Sequence, residues 1–363
     1  MNDEAEQRLQ ATVARIGPLD AAAMAAARAR QDRLTKPPGA LGRLEELSIW
    51  LAGVRGTALP RLNEKLIVTA AADHGVARRG VSAYPAEVTG QMVLNFLAGG
   101  AAVNVLARHA GARVLVVDAG VAALPSDDPR LLVRAPQRGT GDISRGPAMA
   151  RAVAVSSLLN GAELAGAEAA RGVDVIGIGD MGIGNTTPSA AITAVFSGLP
   201  PAAVTGRGTG IDDAALVAKV ARIAEALAVN APDPTDGIDV LAKVGGLEIG
   251  FLAGVCLGAA AARVPVMVDG FIATAAALVA AAVAPEVRSY LVAAHRSAEP
   301  GHDAALAQLG LRPLLDLQMR LGEGTGAALG IGLLEAAARI LSEMATFDEA
   351  GVSDSDRASA GES

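Results

Sequence analysis

Aromatic side chains make up only 2% of the 363 residues, charged ones 19%, and there is a single cysteine, Cys256. Each scarcity excludes something. One thiol permits neither a disulfide framework nor a cysteine-based metal site, which fits a reducing, cytoplasmic setting. Cys256 itself, in "FLAGVCLGAA", reads as a small core residue. With so few rings, the core must be Ala, Val, Leu and Ile packed tightly around the 42 glycines. The net charge is −7 and no basic stripe occurs, so nucleic acid is excluded as a partner. A membrane-length apolar run is also missing. The stretch 249–284 is broken by Arg263, Pro265 and Asp269, and neither half reaches the ~18 uninterrupted apolar residues a span needs. The opening "MNDEAEQRLQ" is acidic and polar, unlike a signal peptide.

What is present is a set of short β-rich runs: "KLIVTAA" (65–71), "RVLVVDA" (113–119), "VDVIGIG" (173–179), "AAVTG" (202–206), "VPVMVDG" (264–270) and "SYLVAAH" (289–295). Ala-rich stretches separate them, among them 147–170, 212–228 and 270–284. Continuous apolar strands alternating with helices predict an α/β fold with a parallel sheet covered on both faces. Residues 1–60 read as a helical segment of a small lobe, 61–315 as the parallel α/β domain, and 316–347 as a loop and helix returning to the lobe. The polar tail 348–363 reads as disordered.

The unusual residues fall just after these strands, where open α/β sheets bind ligands. "GIGDMGIGNTT" (177–187) fits G-x-G-x-x-G, but a dinucleotide site expects an acid some 20 residues on. None occurs between Met181 and Ile211. What remains is a helix N-terminus able to cradle a phosphate, or simply a tight turn. "TGRGTGIDD" (205–213) offers a second cradle, with Asp212 and Asp213 as helix caps and Lys219 within reach of an anion or merely solvated. A metal site from Asp73, His74, His295 and His302 can be drawn, but no ligand spacing supports it and no cofactor is expected. Tyr84 either walls a flat aromatic pocket or only packs. Glu323 stands among glycines in "MRLGEGTGAALG", so it is either a base whose partner is a ligand or a solvated acid.

Taken together, "TKPPGALGRLE", "ADHGVARRGVSAYPAEVTGQM", "GDMGIGNTTPSAA", "GRGTGIDD", "DPTDGIDVLAKVGGLEI", "VPVMVDGF", "HRSAEPGH" and "MRLGEGTGAAL" occur in this order over 35–340. The chain thereby resembles the nicotinate-nucleotide–dimethylbenzimidazole phosphoribosyltransferase family of cobalamin assembly. The resemblance implies a Rossmann-like sheet with a small helical lobe, a homodimer, and two small-molecule substrates, nicotinate mononucleotide and 5,6-dimethylbenzimidazole. It implies Glu323 as catalytic base and an acceptor pocket near Tyr84, Gln91, Met92, Met319 and Leu321. The phosphate site would involve Asp180, Met181, Gly182 and Asn185, with Lys219 and Ser297 nearby. Family members often carry Glu where Asp180 stands, and some carry Ser where Tyr84 stands. A riboside hydrolase, a non-catalytic sensor and a transferase for another azole, purine or phenol remain alternatives at this point.

Overall fold

The computed structural model describes residues 2–124 and 126–353. Six strands, β1 (Lys65–Ala72), β2 (Arg113–Gly120), β3 (Leu131–Val133), β4 (Val175–Met181), β5 (Val266–Val268) and β6 (Leu291–Ala293), form one sheet in the order β3-β2-β1-β4-β5-β6. Every neighbouring pair is parallel. β1 is buried from Leu66 onward, as expected of a strand covered on both faces.

Two sequence expectations change. "AAVTG" is not a strand: Pro201–Val204 form a one-turn helix, because Pro201 at the first helical position has the backbone angle a helix start requires. The sixth strand is instead Leu131–Val133, three residues with no alternation or flanking signal to mark them.

Close helix packing explains the glycine and alanine content. Helices Arg151–Ala170 and Leu247–Ala261 pack on one another so closely that a Cβ at Gly161 would lie 1.9 Å from the Phe251 carbonyl oxygen. A Cβ at Gly254 would lie 1.9 Å from that of Leu158. Cys256 is buried in the second helix, where burial pushes its thiol up to about 12. That helix and Phe271–Val283 are 15 and 13 residues long, short of a membrane span. By length and hydropathy alone Val88–Ala110 and Thr325–Glu343 would qualify, but the first is two helices, Val88–Ala98 and Ala102–Ala110, broken at Gly99, and 56% of the second window is buried inside the protein.

The chain divides into two compact units. One joins the segment up to Gly17 with Glu64–Ile331, and the other joins Pro18–Asn63 with the chain from Gly332. The N-terminal helix Asn2–Val13 thus groups with the sheet rather than with the small lobe, because it packs on Arg151–Ala170 and Leu247–Ala261. In the second unit Ala27, Ile49, Ala52 and Leu341 form a core with Met24 against it, and Arg30 Nε donates to the Leu341 carbonyl at 2.8 Å. The tail expected to be disordered begins with a short helix, Phe347–Ala350, capped reciprocally by Thr346 and Glu349. Residues 354–363 lie outside those described.

Candidate active site

The strand order reverses between β1 and β4, and the crevice over their carboxyl ends is where such a sheet leaves room for a ligand. The segment Gly322–Glu323–Gly324 lies there. Thr69 of β1 donates its hydroxyl to the Glu323 carbonyl at 2.8 Å, and the Glu323 N–H donates to the Asp180 carbonyl, in β4, at 3.1 Å. The three residues have φ of +83°, +65° and +101°. Two glycines take such angles without penalty. Glu323 does not, and a left-handed non-glycine residue costs about 1–3 kcal/mol. The hydrogen bonds on both sides of it hold the conformation. Gly179 makes the room, since a Cβ there would lie 2.2 Å from the Gly324 nitrogen. The second glycine of the G-x-G-x-x-G run therefore serves this close approach.

The Glu323 side chain is 5% exposed. Its Oε2 accepts the Val103 N–H at 3.3 Å, in the first turn of helix Ala102–Ala110. Burial raises its carboxyl above the ordinary range, the Val103 N–H opposes this, and the Asp269 charge adds to it. Asp269 follows β5 and is wholly buried. Its two oxygens accept the Gly324 and Ala327 N–H groups at 3.1 and 3.0 Å, tying down the start of helix Thr325–Glu343. Asp180 accepts from Asn185 Nδ2 at 2.8 Å through Oδ2, while its buried Oδ1 has no partner. Burial holds this carboxyl well above the ordinary range; the neighbouring Asp269 charge adds most to that, with Glu248 and Glu323 behind it, while the Asn185 bond opposes.

These groups border a cavity of about 550 Å³. Tyr84, Val88 and Met92 line one side, and residues 180–186 a second. Gly208 and Thr209, residues 270–272, His295, Ser297 and Glu299, residues 320–323, and Val81 and Ser82 complete it. The wall therefore includes Tyr84, Met92 and Leu321 of the expected acceptor set, and Asp180, Met181, Gly182, Asn185 and Ser297 of the expected phosphate set. Three expected residues are not in it. Gln91 is exposed, turned about 80° around the helix from the direction of Val88 and Met92. Met319 sits outside, its carbonyl accepting the Ala298 N–H at 3.0 Å. Lys219 lies behind the wall, fully buried, with Nζ donating to Thr186 Oγ1 at 2.6 Å and to the Gly206 carbonyl at 3.1 Å. Burial lowers the Lys219 ammonium to about 8, with the Glu299 charge opposing.

Thr69 and the Val103 N–H carry no sequence signal, since their link to Glu323 arises only from the fold. Asp269 had one: an acid directly after a strand. The drawn metal cluster does not assemble. His74 Nε2 pairs with Glu248 Oε1 at 2.7 Å, and His302 is engaged elsewhere. Among the described residues no group of three or more His, Cys, Asp or Glu is placed to hold a metal ion.

A family model described as phosphoribosyltransferase matches residues 16–352. The chain is 62% identical over 345 residues to the nicotinate-nucleotide–dimethylbenzimidazole phosphoribosyltransferase of Roseiflexus sp. strain RS-1, covering 95% of this chain and 98% of that one. It is 58% identical to the protein of that name from Geobacter sulfurreducens, covering 96% and 99%. Among solved structures, the phosphoribosyltransferase of that name from Thermus thermophilus superposes with a TM-score of 0.87 at 50% identity, over 93% of this chain and all of the other.

Proposed function

The chain belongs to the nicotinate-nucleotide–dimethylbenzimidazole phosphoribosyltransferase family, and from that premise we propose how its cavity carries out the transfer. Phosphoribose moves from nicotinate mononucleotide to 5,6-dimethylbenzimidazole, giving α-ribazole 5′-phosphate and nicotinate. The observation that carries this reading is Glu323, buried and glycine-flanked at φ +65° in the wall of the cavity over β1 and β4.

The donor ring is a pyridinium, so it departs as neutral nicotinate ring nitrogen when the C1′–N bond breaks, and no general acid is needed. One acceptor nitrogen forms the new bond to C1′ while the other loses its proton. Glu323 receives that proton. Its Oε2 is held by the Val103 N–H, and its carboxyl, raised by burial, has greater proton affinity than an ordinary glutamate. Tyr84, Met92 and Leu321 border the same cavity as apolar or aromatic surface for a flat ring. Residues 182–186 lead into the helix Thr186–Ser197, whose N-terminal N–H groups and dipole suit the 5′-phosphate. The enzyme acts in the cytoplasm as a homodimer, checked by a light-scattering mass of twice 36.3 kDa.

The test is direct. Purified protein incubated with nicotinate mononucleotide and dimethylbenzimidazole should release nicotinate and form α-ribazole phosphate. Formation of ribose phosphate without a new ribotide would support the hydrolase reading instead.

A further inference from the structure

His295 is 1% exposed, and neither of its ring nitrogens has a hydrogen-bond partner. A neutral imidazole carries one donor and one acceptor, and buried polar atoms are rarely left unpaired without a functional reason. The nearest protein candidate is Asp269 Oδ1, 3.7 Å from Nε2 and already accepting the Ala327 N–H. The adjacent His302 makes an instructive contrast. Its Nδ1 accepts the Ser297 N–H at 2.7 Å, so Nε2 holds the proton, 2.8 Å from Thr274 Oγ1. The Thr274 hydroxyl in turn donates to the Gly270 carbonyl at 2.8 Å. His302 is saturated and His295 is not.

The His295 ring is also held in place. A Cβ at Gly326 would lie 2.0 Å from its Cδ2, and one at Gly270 would lie 3.3 Å from its Nε2. These two glycines let the ring sit between backbone segments in the wall of the active-site cavity.

We propose that His295 contacts the donor substrate, hydrogen-bonding a ribose hydroxyl of the mononucleotide. This rests on the donor assigned above. Glu323 is tied to β1 and β4, whereas His295 follows β6, two strands beyond β4. Both line the one cavity, so an acceptor ring against Glu323 puts the ribose toward His295. The charge around the ring selects the group. Asp269 Oδ1, 3.7 Å from Nε2, disfavours an anion at the ring, whether phosphate or the nicotinate carboxylate. A hydroxyl, uncharged and able both to donate and to accept, can pair with either ring nitrogen of His295.

The experiment compares kcat/KM for nicotinate mononucleotide with that for its 2′-deoxy and 3′-deoxy analogues, in the wild type and in His295→Ala. Removing a hydroxyl changes the intrinsic reactivity at C1′ equally for both enzymes, so the ratio of ratios isolates the contact. The wild type should discriminate against one analogue roughly tenfold more than the variant does, with the KM for dimethylbenzimidazole unchanged. Should the variant fold poorly, the wild type still gives an answer. The chain has four histidines, so ring-¹⁵N spectra resolve His295, and its signals should move on saturation with the mononucleotide and less with the sensitive analogue. Equal discrimination by both enzymes, or ring signals that stay put at saturation, overturns the proposal. A loss of discrimination confined to nicotinamide mononucleotide also overturns it, by placing the contact on the ring carboxylate. A wild type that forms no ribotide would instead strike at the functional reading itself.

Discussion

At the scale of single residues, the proposed chemistry turns on a carboxyl, Glu323, that burial makes reluctant to ionise. Glu323→Gln keeps the shape and the Val103 contact but removes the proposed proton acceptor. Its kcat should fall on the order of 10²–10⁴-fold, with little change in KM for nicotinate mononucleotide, while a thermal melt confirms folding. The pH profile supplies the sign. The base must be ionised to act, and its pKa is raised, so wild-type activity should decline with acidification above the range of an ordinary glutamate. The Gln variant should lack that limb. A well-folded variant with near-wild-type kcat would remove Glu323 from the mechanism. Lys219 calls for a different expectation. It supports the wall through Thr186 and Gly206, and its charge fades above a pH of about 8. Lys219→Ala should therefore raise the KM for the mononucleotide far more than that for the azole, and the wild-type donor KM should itself climb above that pH. Equal effects on both substrates would separate Lys219 from the phosphate.

At the scale of elements, packing assigns glycines of one helix pair opposite roles. At Gly254, against the Leu158 carbonyl, even a methyl group has no room; at Gly166, within Arg151–Ala170, nothing lies within 4 Å of the would-be Cβ. Alanine is the better helix former by about 1 kcal/mol. Gly166→Ala should thus raise the melting temperature slightly, while Gly254→Ala should lower it by several degrees, as overpacking of about 1–3 kcal/mol implies. Similar melting temperatures for the two variants would mean the helices are less tightly apposed. The same scale shows what the sequence could reveal. β1, β2 and β4 were legible because each is seven or eight residues long and carries an apolar run, "LIV", "VLVV" and "VIGIG" respectively. Leu131–Val133, as short as β5 and β6, is closed in by Arg130 and Arg134 where those two strands extend into "VPVMV" and "YLVAA", and in "AAVTG" the β-branched residues outweighed the preceding prolines, whose backbone geometry decided the outcome. Glu323 and the 179–187 run stood out because acids and glycines together are conspicuous. Thr69 and Val103, which meet Glu323 across 254 and 220 residues of chain, look like any core strand or helix residue until the fold brings them together. Lys219 and Gln91 show the converse: the sequence marks a residue type, and only the backbone decides which way it faces.

At the scale of the whole molecule, buried titratable groups set two opposed slopes in stability against pH. Burial lowers the His302 imidazole to about 3, with the nearby His295 adding to the effect. The unfolded chain protonates this residue near its ordinary pKa of about 6.5, so below that point the unfolded state binds the extra proton. Stability should then decline as pH falls from about 6.5 toward 3. Asp180 acts the other way. Its carboxyl is held well above the ordinary range, so the folded state keeps a proton that the unfolded chain releases. Stability should decline as pH rises from the ordinary aspartate pKa through that raised value. Two substitutions separate the slopes. Asp180→Asn retains an oxygen to accept from Asn185 and removes the titrating acid. It should flatten the alkaline decline and raise the melting temperature most at the higher pH, at the expense of activity, as expected where a catalytic cleft stores unfavourable charge. His302→Asn can still accept the Ser297 N–H and should flatten the acid decline, even though its melting temperature is lower throughout because the Thr274 contact is lost. The readout is the slope of melting temperature against pH rather than its height. Parallel curves for the wild type and Asp180→Asn would show that this carboxyl titrates alike in the folded and unfolded chains, and that the charge in the cleft is relieved in another way.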